Sequence, residues 1–146
     1  MLLQSCTLPR SILLIIFHCS VMVKNSLAWY DINVSNLERA VAFYSKLLDG
    51  ELKIEAQGGM KFAVLPHEGE EGLAGCLAQV EDFVPCTNGI LIYIDVDSRI
   101  IDATRIAREN GGKVISDIQE VAPWGYMSII LDSEGNKIAL HSFSNQ

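Results

Sequence analysis

A chain of 146 residues has room for one domain with a sizeable core, or for two small halves that share one. Its net charge of −7, with eleven Lys and Arg scattered along the chain, argues against a nucleic-acid surface and an anionic partner, because phosphate binding needs clustered cations. None of the four cysteines, Cys6, Cys19, Cys76 and Cys86, forms a close CxxC pair of the zinc or redox kind, so free thiols in a reduced, cytoplasmic setting are expected.

Residues 1–25 read as an N-terminal extension. Their apolar run, Ile12–Phe17, is shorter than the roughly twenty residues that span a bilayer, so no membrane partner is expected. The segment reads as inert or as lying upstream of an internal start at Met22. The alternative is export, with Ser26-Leu27-Ala28 as a small-x-small cleavage site. Either way a single domain begins near Ser26 and runs to residue 146.

Trp29 to Val34 alternates, which predicts a strand with Tyr30, Ile32 and Val34 turned to a helix and Trp29, Asp31 and Asn33 turned away from it. Ser35-Asn-Leu-Glu38 has the form of a capping box. Leu37, Ala40, Val41, Tyr44 and Leu48 then recur at helical spacing until Asp49-Gly50 ends the helix. Strands are expected at Glu51–Glu55, at Lys61–Leu65 and, beyond a charged loop over 67–72, at about Ala74–Val80. Residues 82–89, with Pro85 and Asn88-Gly89, connect two halves. The second half repeats the series: a strand over Ile90–Val96, a helix from about Ile100 to Asn110 capped by Asp97 or Ser98, and strands near Lys113–Ile118, Tyr126–Leu131 and Lys137–His141. Residues 132–136 are a turn by composition.

The order βαβββ is therefore written twice in an α+β chain, over about residues 26–82 and 89–146. Asp31-Ile-Asn-Val-Ser-Asn stands sixty-two residues before Tyr93-Ile-Asp-Val-Asp-Ser, and a glycine ends each helix before the next strand. Two such halves can face each other around a pocket, so the pocket side of each copy is where function is sought.

Trp29-Tyr-Asp-Ile-Asn-Val-Ser-Asn-Leu-Glu-Arg-Ala-Val-Ala-Phe-Tyr44, the Gly111-Gly112 helix exit, and Asp132-Ser-Glu-Gly-Asn-Lys-Ile-Ala-Leu-His141 resemble the vicinal oxygen chelate superfamily. Its members include glyoxalase I, bleomycin-resistance proteins, fosfomycin-resistance proteins and extradiol dioxygenases. The resemblance implies two tandem βαβββ modules forming an incomplete barrel around a central cavity, commonly in a homodimer. The family's enzymes hold a divalent metal there with His, Gln or Glu from the first and last strands of each module. Carried over by position, the first-strand site falls on Trp29, its counterpart in the second module on Leu91, and the last-strand site of that module on Ala139. The fourth falls on Cys76 or Leu77. At least three of the four lack a donor, and divalent ions need several O or N ligands at once, so no metal and no cofactor are expected. The chain most resembles a glyoxalase-related subgroup of unassigned activity, with Trp-x-acid in the first strand and Leu-His-Ser in the last.

Asp31 lies two along from Trp29 and His141 two along from Ala139, so strand alternation keeps each on the pocket face, as it does Asn33. Tyr93 is the second module's equivalent of Asp31. These groups can bind a ligand or do acid–base work; in the plainer reading, Asp31 and His141 pair with each other to satisfy a buried polar gap. Trp29, Trp124 and Tyr126 can stack on a planar ligand or fill the core. Cys76 is a nucleophile or a small buried hydrophobe, and His67 a surface residue or lid element; Glu68, Glu70 and Glu71 form a solvated acidic run.

The expected function is metal-free binding of a small, partly aromatic molecule. The alternative is a metal-dependent glyoxalase-like lyase, isomerase or dioxygenase using Asp31, His141 and Cys76 as non-standard ligands. A third class is an interaction module with a vestigial pocket.

Overall fold

A computed structural model describes residues 27–67, 69 and 73–145. The N-terminal extension and Glu68, Glu70 and Glu71 lie outside the described residues, and so do the readings made for them. The first module comprises β1 (Trp29–Asn33), α1 (Leu37–Leu47), β2 (Glu55–Gln57), β3 (Met60–Val64) and β4 (Ala74–Gln79). The second comprises β5 (Tyr93–Asp95), α2 (Ile100–Glu109), β6 (Lys113–Glu120), β7 (Tyr126–Leu131) and β8 (Lys137–Ser142). Each builds a four-stranded sheet of the same order, β1-β4-β3-β2 and β5-β8-β7-β6. The first and last strands of a module run parallel, and its remaining pairs are antiparallel. The result is an α+β fold of two open βαβββ modules; the two sheets do not close into a barrel.

One apolar core serves both modules. Ile32, Val34 and Leu77 from the first sheet meet Leu37, Phe43 and Tyr44 of α1, and the same cluster continues through Ile94, Val96 and Leu140 to Ile100 and Ala107 of α2. The period-two pattern of the strands turns these residues to the helices and turns Trp29, Asp31, Cys76, Tyr93 and His141 to the faces that carry no helix among the described residues. The chain turns tightly out of α2 at Gly112, where a Cβ would stand 2.7 Å from the Leu131 carbonyl and 2.8 Å from that of Ala107. Only glycine permits that approach.

Local readings differ from the structure in four places, the first being the strand expected over Ile90–Val96, which spans only Tyr93–Asp95 and leaves Ile90 exposed. The third-element strand starts at Glu55, not Glu51, because Leu52 dives into the core and its amide bonds Ser45 Oγ at 3.1 Å, which leaves residues 51–54 without a sheet partner. The capping box on Ser35 does not form: Asn36 is the N-cap, its Oδ1 accepting from Arg39 N at 2.8 Å. Neither Asp97 nor Ser98 caps α2, since both adopt left-handed backbone (φ 43° and 61°) and Arg99 takes the cap position with no side-chain bond.

The reason no capping box is needed lies in the other module. Glu134, from the turn between β7 and β8, presents Oε2 to the amides of Ser35 (3.1 Å) and Asn36 (2.9 Å), and both its oxygens bind the Arg39 guanidinium, at 2.7 and 2.8 Å. Asp132 in the same turn accepts from the Tyr44 hydroxyl at 2.8 Å, and Asn136 Nδ2 donates to the Asn33 carbonyl at 2.8 Å. At the far end of α1, Arg99 Nη2 donates to the Leu47 carbonyl at 3.0 Å and Lys46 Nζ to Asn110 Oδ1 at 2.6 Å. An anion at the N-terminus of α1 and a cation at its C-terminus both complement the helix dipole. The second module thus clamps the helix of the first at both ends.

Two outcomes follow for this clamp. Burial of Glu134 acts to raise its pKa, but the hydrogen bonds from Arg39 and the Asn36 amide and the charge of Arg39 outweigh it, holding the carboxyl below its ordinary value. The contribution of Glu134 to stability is therefore complete above the pKa of a free glutamate, about 4.3, and is lost as pH falls through the lower folded value. Urea melts should show Glu134→Gln less stable than wild type at pH 7, with the two converging in acid; a gap independent of pH would contradict this. Tyr44→Phe removes a buried bond to a carboxylate and should cost roughly 1.5–3 kcal/mol, read as a lower urea midpoint with an unchanged slope.

Candidate functional site

The helix-free face of the first sheet carries a hollow of about 270 Å³ lined by Trp29, Asp31, Met60, Phe62, Cys76 and Val80, among others. Its organising group is the Asp31 carboxylate. Oδ1 accepts from the Trp29 indole Nε1 at 2.8 Å and from the Cys76 thiol at 3.2 Å. Asp31 and Cys76 are register partners on β1 and β4, which is why they meet, and the indole reaches back from two residues earlier on the same face. Burial pushes the Cys76 thiol up to about 12, helped by its bond to Asp31 and by that residue's charge. It is a protonated donor at neutral pH, so the nucleophile reading of Cys76 has no thiolate to work with.

The corresponding face of the second sheet carries a wider hollow, about 430 Å³, lined by Tyr93, Val121, Trp124, Met127 and His141. His141 and Met127 are register partners on β8 and β7. Trp124 is delivered by the turn before β7, closed by Trp124 N to Val121 O at 2.8 Å and Val121 N to Gly125 O at 2.7 Å. At Gly125, with φ 89°, a Cβ would run into the Ser142 carbonyl, so glycine lets the turn lie flat on β8. His141 Nε2 stands 2.6 Å from the Trp124 carbonyl oxygen, which can only accept. Nε2 therefore carries a proton, and Nδ1 makes no hydrogen bond among the described residues. Phe143 packs edge-on to the imidazole at a centroid distance of 5.0 Å.

The sequence-derived candidates thus fall into separate groups. Trp29, Asp31 and Cys76 share the first hollow; Tyr93, Trp124 and His141 share the second. Asn33 faces a cleft of about 410 Å³ along the free edge of β1, shared with Trp29, Asp31 and Ile138. Leu91 lies in another, along β5 with Tyr30, Leu65 and Tyr93. Ala139 is wholly buried as the register partner of Tyr93. Asp31 and His141 do not pair: their bonds go to Trp29 and Cys76 in one case and to Trp124 in the other. Tyr126 packs against the common core and is no stacking platform, since Met127, its neighbour, takes the open face. His67 is exposed, its Nδ1 lying 3.0 Å from the Gly69 carbonyl oxygen. Met60, Phe62, Val121 and Met127 were not singled out in the sequence. Phe62 and Met127 stand opposite Ala78 and His141, so the cross-strand registers locate them once known.

Those registers also settle the carried-over metal positions. Asp31 opposite Cys76 matches Tyr93 opposite Ala139, so Cys76, not the core residue Leu77, is the equivalent of Ala139. Trp29, Leu91 and Ala139 offer no donor, which leaves Cys76 alone among the four positions. No group of three or more His, Cys, Asp or Glu side chains converges among the described residues. These residues do not fit the divalent ion that the family's enzymes hold.

Two tandem βαβββ modules with open, polar-centred faces define a class of fold, and comparison with known proteins places the chain within it. It belongs to the Glyoxalase/Bleomycin resistance protein/Dioxygenase superfamily, whose family model matches residues 26–140. Among solved structures it is similar to a glyoxalase/bleomycin resistance protein from Albidiferax ferrireducens T118, with 20% identity, TM-score 0.60 and coverage of 78% of this chain and 95% of that one. It is similar to the fosfomycin resistance protein of Listeria monocytogenes complexed with Mn(II) and sulfate, at 15% identity and TM-score 0.58, over 81% and 92% of the two chains. Glyoxalase I from Zea mays aligns at 18% identity and TM-score 0.62 over 80% of this chain, which spans 45% of the maize chain. At these identities the likeness is one of fold. No curated protein matches the sequence.

Protein purified without chelator is expected to carry no stoichiometric transition metal by elemental analysis. One tightly held ion per chain, lost on His141→Ala, would overturn the donor argument.

Proposed function

We propose that the protein binds a small, partly aromatic molecule on the helix-free faces of its sheets without an obligatory metal. The observation that carries this reading is the exposure of large rings around fixed polar groups: Trp29 is 47% exposed beside Asp31, and Tyr93 and Trp124 are 52% and 69% exposed beside His141. Leaving aromatic rings in water forgoes their burial, and here they frame two concave surfaces with few polar atoms, the usual composition of a ligand site. The alternative, a metal-dependent lyase, isomerase or dioxygenase, requires Asp31, His141 and Cys76 to converge; His141 lies in a different hollow from the other two.

The reading is tested with a panel of one- and two-ring aromatic fragments titrated against the protein, followed by tryptophan fluorescence. Asp31→Ala or His141→Ala should weaken binding in the hollow concerned at least tenfold, equivalent to ~1.5–3 kcal/mol for one bond to a charged or strongly polar group, with the melting temperature little changed. A panel with no binder at millimolar concentration, or variants that lose stability but not affinity, would count against it.

Exposed apolar side chains, several of them on the connection between the modules, support a homodimer. The chain is 49% hydrophobic, and Met60, Phe83, Val84, Ile90 and Phe143 remain exposed beside the rings already named. Burying such surface against a second copy removes it from water, and a two-fold pairing is the commonest way to do so. Sedimentation at micromolar concentration should return twice the chain mass; a monomer refutes the dimer. The described cysteines, Cys76 and Cys86, are free thiols, which supports a cytoplasmic setting. No helix among the described residues is long and apolar enough to cross a membrane.

A further inference from the structure

The two hollows differ in their polar groups. The second is lined by a phenol, an indole, a thioether, an imidazole and a valine. The first contains a carboxylate, and that carboxylate is only half used. Both of its described hydrogen bonds, from Trp29 and Cys76, fall on Oδ1. Oδ2 has no partner among the described residues. Two donors converging on one oxygen hold the plane of the group while leaving the other oxygen free to accept.

The surroundings of that free oxygen favour one kind of partner. Phe62 and Met60 present a ring and a polarizable sulfur, Trp29 a second ring, and Ala78 and Val80 complete an apolar wall. Aromatic faces attract cations, and a carboxylate beside them accepts N–H donors. Cys76 adds no second negative charge, because its thiol stays protonated. Lys61 also borders the hollow but follows Met60 and precedes Phe62 on β3, on the alternate side of the strand, and it forms no ion pair with Asp31. The net charge of −7 raises the local concentration of cations and lowers that of anions.

We propose that the hollow between β1, β3 and β4 is a site for an organic cation bearing N–H donors, an amidinium, guanidinium or primary ammonium, joined to an aromatic or aliphatic body. The N–H groups bond Asp31 Oδ2, and the body lies against Phe62, Met60 and Trp29. This assignment rests on the small-molecule reading above and adds the charge of the ligand and the hollow it enters.

Three probes of nearly one shape separate the two ideas: benzamidinium, neutral benzamide and anionic benzoate. Each is titrated into the full chain at low ionic strength, and the two indole N–H signals are followed by NMR, with Trp29→Phe assigning them. Benzamidinium should bind at least tenfold more tightly than benzamide, with benzoate weakest. Its titration should move the Trp29 indole signal, which reports the Asp31 bond, and leave that of Trp124 in place. Added salt should weaken benzamidinium and not benzamide. Asp31→Asn keeps the size and one acceptor oxygen but removes the charge, so it should bring benzamidinium and benzamide to within about twofold of each other. Equal binding of the two by wild type, or a preference for benzamidinium that survives Asp31→Asn, overturns the cation assignment while leaving the small-molecule reading standing. Failure of all three probes to bind overturns both. Should Asp31→Asn not fold, the comparison of probes on the wild-type chain decides alone.

Discussion

The carboxylate of Glu134 at the start of α1 is the contact on which the arrangement of the two modules depends. A helix leaves its first amides without internal partners, and a nearby residue usually supplies them. Here Asn36 supplies one locally and Glu134, ninety-eight residues later, takes two more while gripping Arg39. Enclosed charge is tolerated because every lone-pair direction of Glu134 is occupied. Asp132 and Asn136 from the same turn reach Tyr44 and Asn33, so a five-residue loop of one module fixes the strand, the helix start and the helix face of the other. The two sheets are placed by polar contacts at the rim of a shared apolar core.

That placement has a consequence for the site. With both helices packed into one core, each sheet shows its opposite face outward, and those two faces lie open as separate hollows. The internal repeat makes them equivalent in backbone: Asp31 stands to Cys76 as Tyr93 does to Ala139, and Phe62 to Ala78 as Met127 does to His141. In side chains they diverge. One is centred on an acid and a thiol, the other on a phenol and an imidazole. Duplication thus supplied one scaffold twice, and substitution at four equivalent positions gave its two faces different chemistry. The positions that hold metal in the family's enzymes fall here on an indole, two aliphatic chains and a thiol, while polar groups stand two residues further along, Asp31 on the first strand and His141 on the last.

Much of the fold was legible in the chain. Alternation from Trp29 to Val34, helical spacing from Leu37 to Leu48 and the Gly111-Gly112 exit are local patterns dictated by side-chain direction and backbone sterics, and the structure shows the elements they imply, over Trp29–Asn33 and Leu37–Leu47 for the first two. The second writing of the same order pointed to paired modules. Where local readings missed, at the Ser35 capping box and the Glu51 strand start, a tertiary contact had replaced the local one; the α2 cap failed for a local reason, the left-handed backbone of Asp97 and Ser98. Glu134 serves the amides that a box would serve, and Leu52 leaves the strand to enter the core.

What the sequence determined by itself was which residues share a face, because alternation is a property of the strand alone. It could say that Trp29, Asp31 and Asn33 point one way, and that Trp29, Leu91 and Ala139 cannot bind a metal. Only the tertiary structure decided which faces meet. Cross-strand register brought Cys76 to Asp31 and Met127 to His141, the clamp on α1 set the two sheets in separate positions, and together these kept Asp31 and His141 in different hollows. Register and module placement arise from contacts between residues tens to a hundred positions apart, and no periodicity within either strand encodes them.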